Sequence, residues 1–180
     1  MTAHWLPAGF AHPLHVSVTE DVHVRPIGPD DLEIDMPAVM GNQAMLWEKY
    51  GEAWGWPPAD MGAEADRDDL ARHAREMVAH ESFNYAILSA DEDRLLGCIY
   101  VDPAEPGDDL ETPAADVSWW VVADAPAGVD EAVRAFVPAW LDEAWPFSTV
   151  RYPFGELGGA RLSRPRRPSP RPGSSRPPPW

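Results

Sequence analysis

The 180-residue sequence holds a single cysteine, Cys98. No intramolecular disulfide can therefore hold its fold together. Long apolar runs are missing too. WLPAGFAHPLHV, near the start, is broken by Pro7 and Pro13 and carries no basic region. Neither a signal peptide nor a membrane span is expected, and the cytoplasm is the expected location. The six histidines (His4, His12, His15, His23, His73, His80) lack metal-ligand spacing. His73 and His80 stand seven apart, where helical ligand pairs stand three or four apart, so no metal is expected. P-loop, dinucleotide-binding glycines and nucleophile elbow are all absent. Positive charge is scarce: 30 acidic residues face 14 basic ones, for a net charge of −16. All 30 acids fall in 1–156, whereas 157–180 hold six arginines and no acid. Such an acidic body repels nucleic acid and anionic membrane and attracts a basic molecule such as an amine.

What is present suits one α/β domain. The hydrophobic fraction is 44% and there are nine tryptophans, enough for a core. Residues 1–19 show no period and are read as an N-terminal arm. VHVRPI (22–27) alternates as a strand does. Asp30 or Asp31 is placed to cap a helix. LEIDMPAVMGNQAMLWEKYG has helical spacing, with Pro37 expected to start a fresh helix. WGWPP (54–58) reads as a loop. DRDDLARHAREMVAH (66–80) is a second amphipathic helix, with Leu70, Ala74, Met77 and Val78 on one side. FNYAILSA (83–90) and RLLGCIYV (94–101) form a hairpin, and ADVSWWVVA (115–123) a further strand. VDEAVRAFVPAWLDEAW (129–145) is helical, with a kink expected at Pro138. FSTVRYPF (147–154) is a last strand. The order is β-α-α-β-β-β-α-β, a mixed central sheet flanked by helices.

Three stretches carry a resemblance. They are Val24-Arg25-Pro26 followed by Asp30-Asp31-Leu32, the strand with Leu96-Gly97, and ADVSWWV. In this order and spacing the region 20–156 resembles the GNAT superfamily of acyl-CoA-dependent N-acetyltransferases. The resemblance implies a GNAT-like α/β fold, acetyl-CoA as acyl donor, and an amine acceptor, either a small molecule or a protein. It also implies a V-shaped opening beside the ADVSWWV strand. There the backbone of Trp120, Val121 and Val122 would pair with the pantetheine arm. The pyrophosphate would sit on the turn that follows, at Ala127, Gly128 and Val129.

That turn, ADAPAGVDEAV, departs from the Gln/Arg-x-x-Gly-x-Gly/Ala pattern of the superfamily. Gly128 is its one glycine, and Asp124, Asp130 and Glu131 flank it. A helix start offers unpaired N–H groups to an anion, but these acids compete for them. Arg134 is the nearest basic residue in sequence. Two readings stay open: a backbone acyl-CoA site, or a helix start with no ligand.

Asp116 alternates with Ser118 and Trp120 and is the candidate base; the other reading is a solvent-facing carboxylate. Tyr152 is either a candidate acid or ordinary sheet packing. Trp54 and Trp56, beside Glu48 and Glu52, are candidates for an acceptor pocket with an acidic aromatic wall, or else an aromatic plug over the helix pair. Cys98, in an apolar strand, reads as an inert buried thiol. The tail 157–180 has almost nothing apolar and is expected to be disordered. It is read either as foreign to the fold or as a basic polyproline linker. Two functions follow: N-acetyl transfer to an amine, or a non-catalytic GNAT-fold protein that binds a ligand or partner.

Overall fold

A computed structural model describes residues 5–104 and 113–157. The expected disordered tail, apart from Leu157, and most of the acidic loop after residue 103 lie outside the described residues. Among the described residues six strands form one sheet in sequence order: β1 (Val16–Ser17), β2 (Val22–Pro26), β3 (Phe83–Ser89), β4 (Leu95–Pro103), β5 (Ala114–Val121) and β6 (Thr149–Arg151). Neighbours pair antiparallel up to β5, and β5 pairs parallel with β6. A parallel pair needs a crossover, and α5 (Val129–Ala144) supplies it. The expected element order therefore holds, with the two-residue β1 added at the edge.

The sheet buries both faces, so β3, β4 and β5 read as almost continuous apolar runs. Pleat alternation sends Tyr85 to one face, where it meets Trp140 of α5 edge-on at 5.0 Å. Val133, Val137 and Leu141 of α5 are buried with it. Tyr100 points to the opposite face, toward α4 (Ala63–Val78) and the aromatic residues Tyr50, Trp54 and Trp56. The polypeptide between β2 and α4 forms α1 (Leu32–Gly41), α2 (Gln43–Leu46), a π-helical turn (Trp47–Gly51) and α3 (Glu52–Trp54).

Several local expectations are corrected. Pro37 lies inside α1, and the break comes at Asn42 instead. The Asn42 side chain donates to the Ala38 carbonyl and accepts from the Ala123 N–H, at 2.8 and 2.9 Å. Those bonds fix the helix end against the turn after β5. Asp31 stands at the N-cap position of α1 without capping it. Its carboxylate accepts from the Gly28 N–H and, bidentately, from Arg25. Arg25 also binds Glu92, which it and His23 hold at a pKa of about 2. The Val-Arg-Pro and Asp-Asp stretches are thus one polar clasp joining β2, α1 and the β3–β4 turn. Val78 is exposed, and the buried stripe of α4 is Asp66, Leu70, His73 and Met77. The sequence assigned the arm no element, yet Trp5 stacks on Phe147 and donates its indole N–H to the His80 carbonyl. The last strand is only three residues long.

One buried polar pair joins α1 to α4. Asp35 and Asp66 are both buried, and burial, then the charges of Asp66, Asp69 and Asp31, push the Asp35 carboxyl well above the usual range. A raised folded value means that this stability is full below the ordinary carboxylate range and is lost as pH rises through the raised one. Asp35→Asn mimics the protonated acid. It is expected to stabilise by about 1–3 kcal/mol at pH 8 and by much less at pH 5. Urea unfolding at the two pH values checks this, and an equal gain at both would refute it.

Candidate functional site

The parallel pairing of β5 with β6 spans only Ala114–Asp116 against Thr149–Arg151. From Val117 onward β5 continues to Val121 without a strand partner on that side among the described residues. This unpaired edge is where the V-shaped opening is expected, and it is called the opening below. Which groups line it follows from the pleat. The Trp120 carbonyl lies so close to Gly97 of β4 that a Cβ there would stand 1.9 Å from it. The Val122 N–H donates to the Leu96 carbonyl at 2.9 Å. Main-chain groups of alternate residues point to opposite edges of a strand, so Trp119 and Val121 face the opening. Of the three residues expected to pair with the pantetheine arm, Val121 turns its main-chain groups to the open edge, as Trp119 does, while Trp120 and Val122 turn theirs to β4.

The turn after β5 runs Val122–Gly128 into α5. Gly128 has φ +87°, which glycine adopts readily, and a Cβ there would meet nothing within 4 Å. Among the described residues no side chain caps α5, and the Val129 N–H donates to the Pro126 carbonyl within the turn. Asp130 and Glu131 occupy the first helical turn. Arg134, the cation expected beside this turn, donates instead to the main-chain carbonyl of Glu156. The cation at the turn is Arg94, from the β3–β4 hairpin. It ion-pairs with Asp124 at 2.6 Å and donates to the Asp124 carbonyl at 3.1 Å. Sequence reasoning missed it because the two lie 30 residues apart. Arg94 offsets the nearest of the three acids. Asp130 and Glu131 remain in the first turn of α5 without such an offset from Arg94.

Asp116 is buried rather than solvent-facing. Arg151 of β6 engages both its oxygens, at 2.6 and 2.7 Å. To take a proton from an amine it must offer a lone pair that Arg151 leaves free. Tyr152 follows β6 and meets Trp119 edge-on at 5.8 Å. Burial, then Glu156, push its phenol up to about 12, so it stays protonated at neutral pH. Cys98 is buried, and burial raises its thiol well above the usual range, which leaves it inert.

Trp54 stacks on Tyr50 with ring centroids 4.3 Å apart and planes 2° apart. Trp54 also meets Tyr100 and Phe154 edge-on, and Trp56 is tilted against Tyr50. These rings form a mutually packed plug over the sheet, beside the opening, and both tryptophans are only partly buried. Between plug and strand lies Lys49, which sequence reasoning passed over. Its ammonium donates to the Trp119 carbonyl at 2.6 Å and lies 3.1 Å from Glu156 Oε1. The second contact is an ion pair without hydrogen-bond geometry: neither Glu156 oxygen has a hydrogen-bond partner among the described residues, and both are buried. Among the described residues no group of three or more His, Cys, Asp or Glu is placed to hold a metal ion. No described helix is long and apolar enough to cross a membrane.

No family model matches the sequence, and no curated protein matches it. Solved structures do match the fold. MccE, the microcin C7 self-immunity acetyltransferase solved with acetyl-CoA and AMP, superposes with a TM-score of 0.55 at 11% identity, over 74% of this chain and 70% of that one. RimL, the ribosomal L7/L12 alpha-N-protein acetyltransferase solved with coenzyme A, gives 0.53 at 16% identity, over 70% and 67%. The acetyltransferase from Salmonella typhimurium that modifies the N-terminal serine of L7/L12 gives 0.54 at 13%, over 73% and 70%. These three share the mixed α/β architecture at identities that speak for the fold alone. The chain has the GNAT acetyltransferase fold.

Proposed function

We propose that this chain is an acyl-CoA-dependent N-acetyltransferase that moves an acetyl group from acetyl-CoA to an amine. The observation that carries this reading is the opening beside β5. The edge groups of Trp119 and Val121 face it, and it leads into the glycine turn and the uncapped start of α5. An extended pantetheine arm can add to such an edge as a strand would, and the turn at Ala127, Gly128 and Val129 can receive a pyrophosphate once the Val129 N–H leaves the Pro126 carbonyl. Two structural neighbours solved with coenzyme A or acetyl-CoA support it. Acetyl-CoA supplies the thioester; the protein supplies position, which is the main catalytic effect expected of such a site. The acidic body and the partly buried Trp54 and Trp56 favour a cationic acceptor. A protein amine is the acceptor class that the ribosomal-protein acetyltransferases suggest.

Calorimetric titration of the full chain with coenzyme A tests the reading. Saturable binding is expected. Gly128→Val places a branched side chain where the phosphates would lie and strains a φ of +87°. It is expected to weaken binding at least about tenfold, which corresponds to about 1.4 kcal/mol. No binding at millimolar coenzyme A would overturn the reading. That outcome would favour a GNAT-fold protein without catalysis, acting as a ligand or partner binder. Asp130 and Glu131 at the helix start, and Arg134 turned away to Glu156, support that second reading.

A further inference from the structure

Lys49 is the one lysine in the 180-residue sequence; the other 13 basic residues are arginines. It is also the one primary ammonium side chain the protein can bring to an acyl donor. Its place is specific. The side chain starts in the π-helical turn Trp47–Gly51, passes the Tyr50 ring at 5.3 Å, and ends on the Trp119 carbonyl at 2.6 Å. That carbonyl belongs to the open edge of β5. On the far side stands the Glu156 carboxylate, whose side chain is 1% exposed. The ammonium therefore bridges the narrow end of the opening, between β5 and the segment that follows β6. The wide end, at Val121 and the turn, is where the pantetheine arm enters on the reading above.

We infer that Lys49 is an acceptor built into the protein, and that the chain transfers an acetyl group from acetyl-CoA to its own Lys49. This rests on the acyl-CoA reading. Glu156, 3.1 Å from Nζ, takes one proton and leaves a neutral amine. Its oxygens accept no hydrogen bond among the described residues, so a new proton there displaces no existing bond. Proton transfer leaves the nitrogen lone pair facing Glu156, and rotation about Cε–Nζ turns it to the open edge while an N–H stays on the Trp119 carbonyl. The Lys49 nitrogen attacks the thioester carbonyl carbon. The C–N bond forms and the C–S bond breaks, the coenzyme A thiolate leaves, and it takes the second proton from nitrogen. Amide formation removes the positive charge of Lys49. It thereby ends the ion pair with Glu156, so the modification also changes how the opening is closed.

The test uses the full chain and acetyl-CoA at pH 8, with peptide mass mapping over time. The same chain unfolded in urea gives the intrinsic reactivity of this lysine, and the α-amine serves as internal reference. Acetylation of Lys49 at least about a hundredfold faster in the folded chain is expected, the scale of a positioned base. Glu156→Gln is expected to slow it at least tenfold without changing coenzyme A affinity by more than a few-fold. Calorimetry with coenzyme A runs in parallel. Coenzyme A binding with Lys49 labelled no faster than in urea would overturn this inference and leave the acyl-CoA reading intact. Absence of both binding and labelling would overturn the two together. Fast labelling unchanged in Glu156→Gln would overturn the role of Glu156.

Discussion

Gly97→Ala is expected to destabilise the protein by about 4 kcal/mol or more, a cost reserved for substitutions with a specific structural cause. Gly97 sits at φ +152° in the middle of β4. A Cβ there would lie 1.9 Å from the Trp120 carbonyl oxygen and 3.0 Å from the Val121 Cα. Both are backbone atoms of the neighbouring strand, so no side-chain rotation relieves the clash. Either β4 and β5 separate or the pairing slips. Separation breaks ladder bonds around Gly97–Val121 and Cys98–Trp120. A slip turns buried side chains to the wrong face. In a domain of this size the melting temperature should fall by roughly 10 °C or more. Thermal and urea unfolding measure it, and a loss below about 1 kcal/mol would show that β5 shifts freely. The same contact orients Trp119 and Val121 toward the opening, so any folded variant should also lose coenzyme A affinity.

The second large effect concerns Asp116. Arg151→Met removes the guanidinium that engages both carboxylate oxygens and leaves a buried charge unpaired. Breaking a buried pair from one side costs about 3–5 kcal/mol. The lower end applies here because the Arg151 side chain is 26% exposed. The loss matters beyond stability. Parallel pairing of β5 and β6 spans only three residue pairs, and this ion pair joins its last one. Freeing β6 frees Glu156, and with it the clasp on Lys49. The double variant Asp116→Asn with Arg151→Met should recover most of the stability, since no charge is then stranded. A clasp predicts that Asp116→Asn alone loses stability and acetyl transfer together. A base predicts lost transfer at unchanged stability with a shifted pH profile. An unchanged urea midpoint in Arg151→Met would sink the clasp.

The elements were legible in the sequence because burial repeats at short range. The apolar run of β3, the Leu96–Val101 stretch and the helical spacing of Val129, Val133, Val137 and Trp140 each state their own structure. So did the order of elements, and with it the GNAT-like architecture. Pro37 misled, because a proline can open a helix or sit inside one, and here packing of α1 decided. Val78 misled because its place relative to the stripe of α4 depends on where the sheet lies.

The site itself was legible only in outline. From the sequence the candidate site is the ADVSWWV strand, the turn after it and Gly128. Which edge of β5 faces the opening depends on the register with β4, a one-residue choice that selects Trp119 and Val121 over Trp120 and Val122. Arg94 reaches Asp124, Arg151 reaches Asp116, and Lys49 reaches Trp119 across 30, 35 and 70 residues. No local pattern marks such pairs, because charged side chains find partners through the folded surface rather than through spacing. By itself, then, the sequence determined the strands, the helices, their order and the acidic character of the body, all set by local periodicity and composition. Only the tertiary structure decided which backbone groups face the opening, which cation meets the turn and which carboxylate meets the lone lysine. Those depend on strand register and on side chains brought together from distant segments.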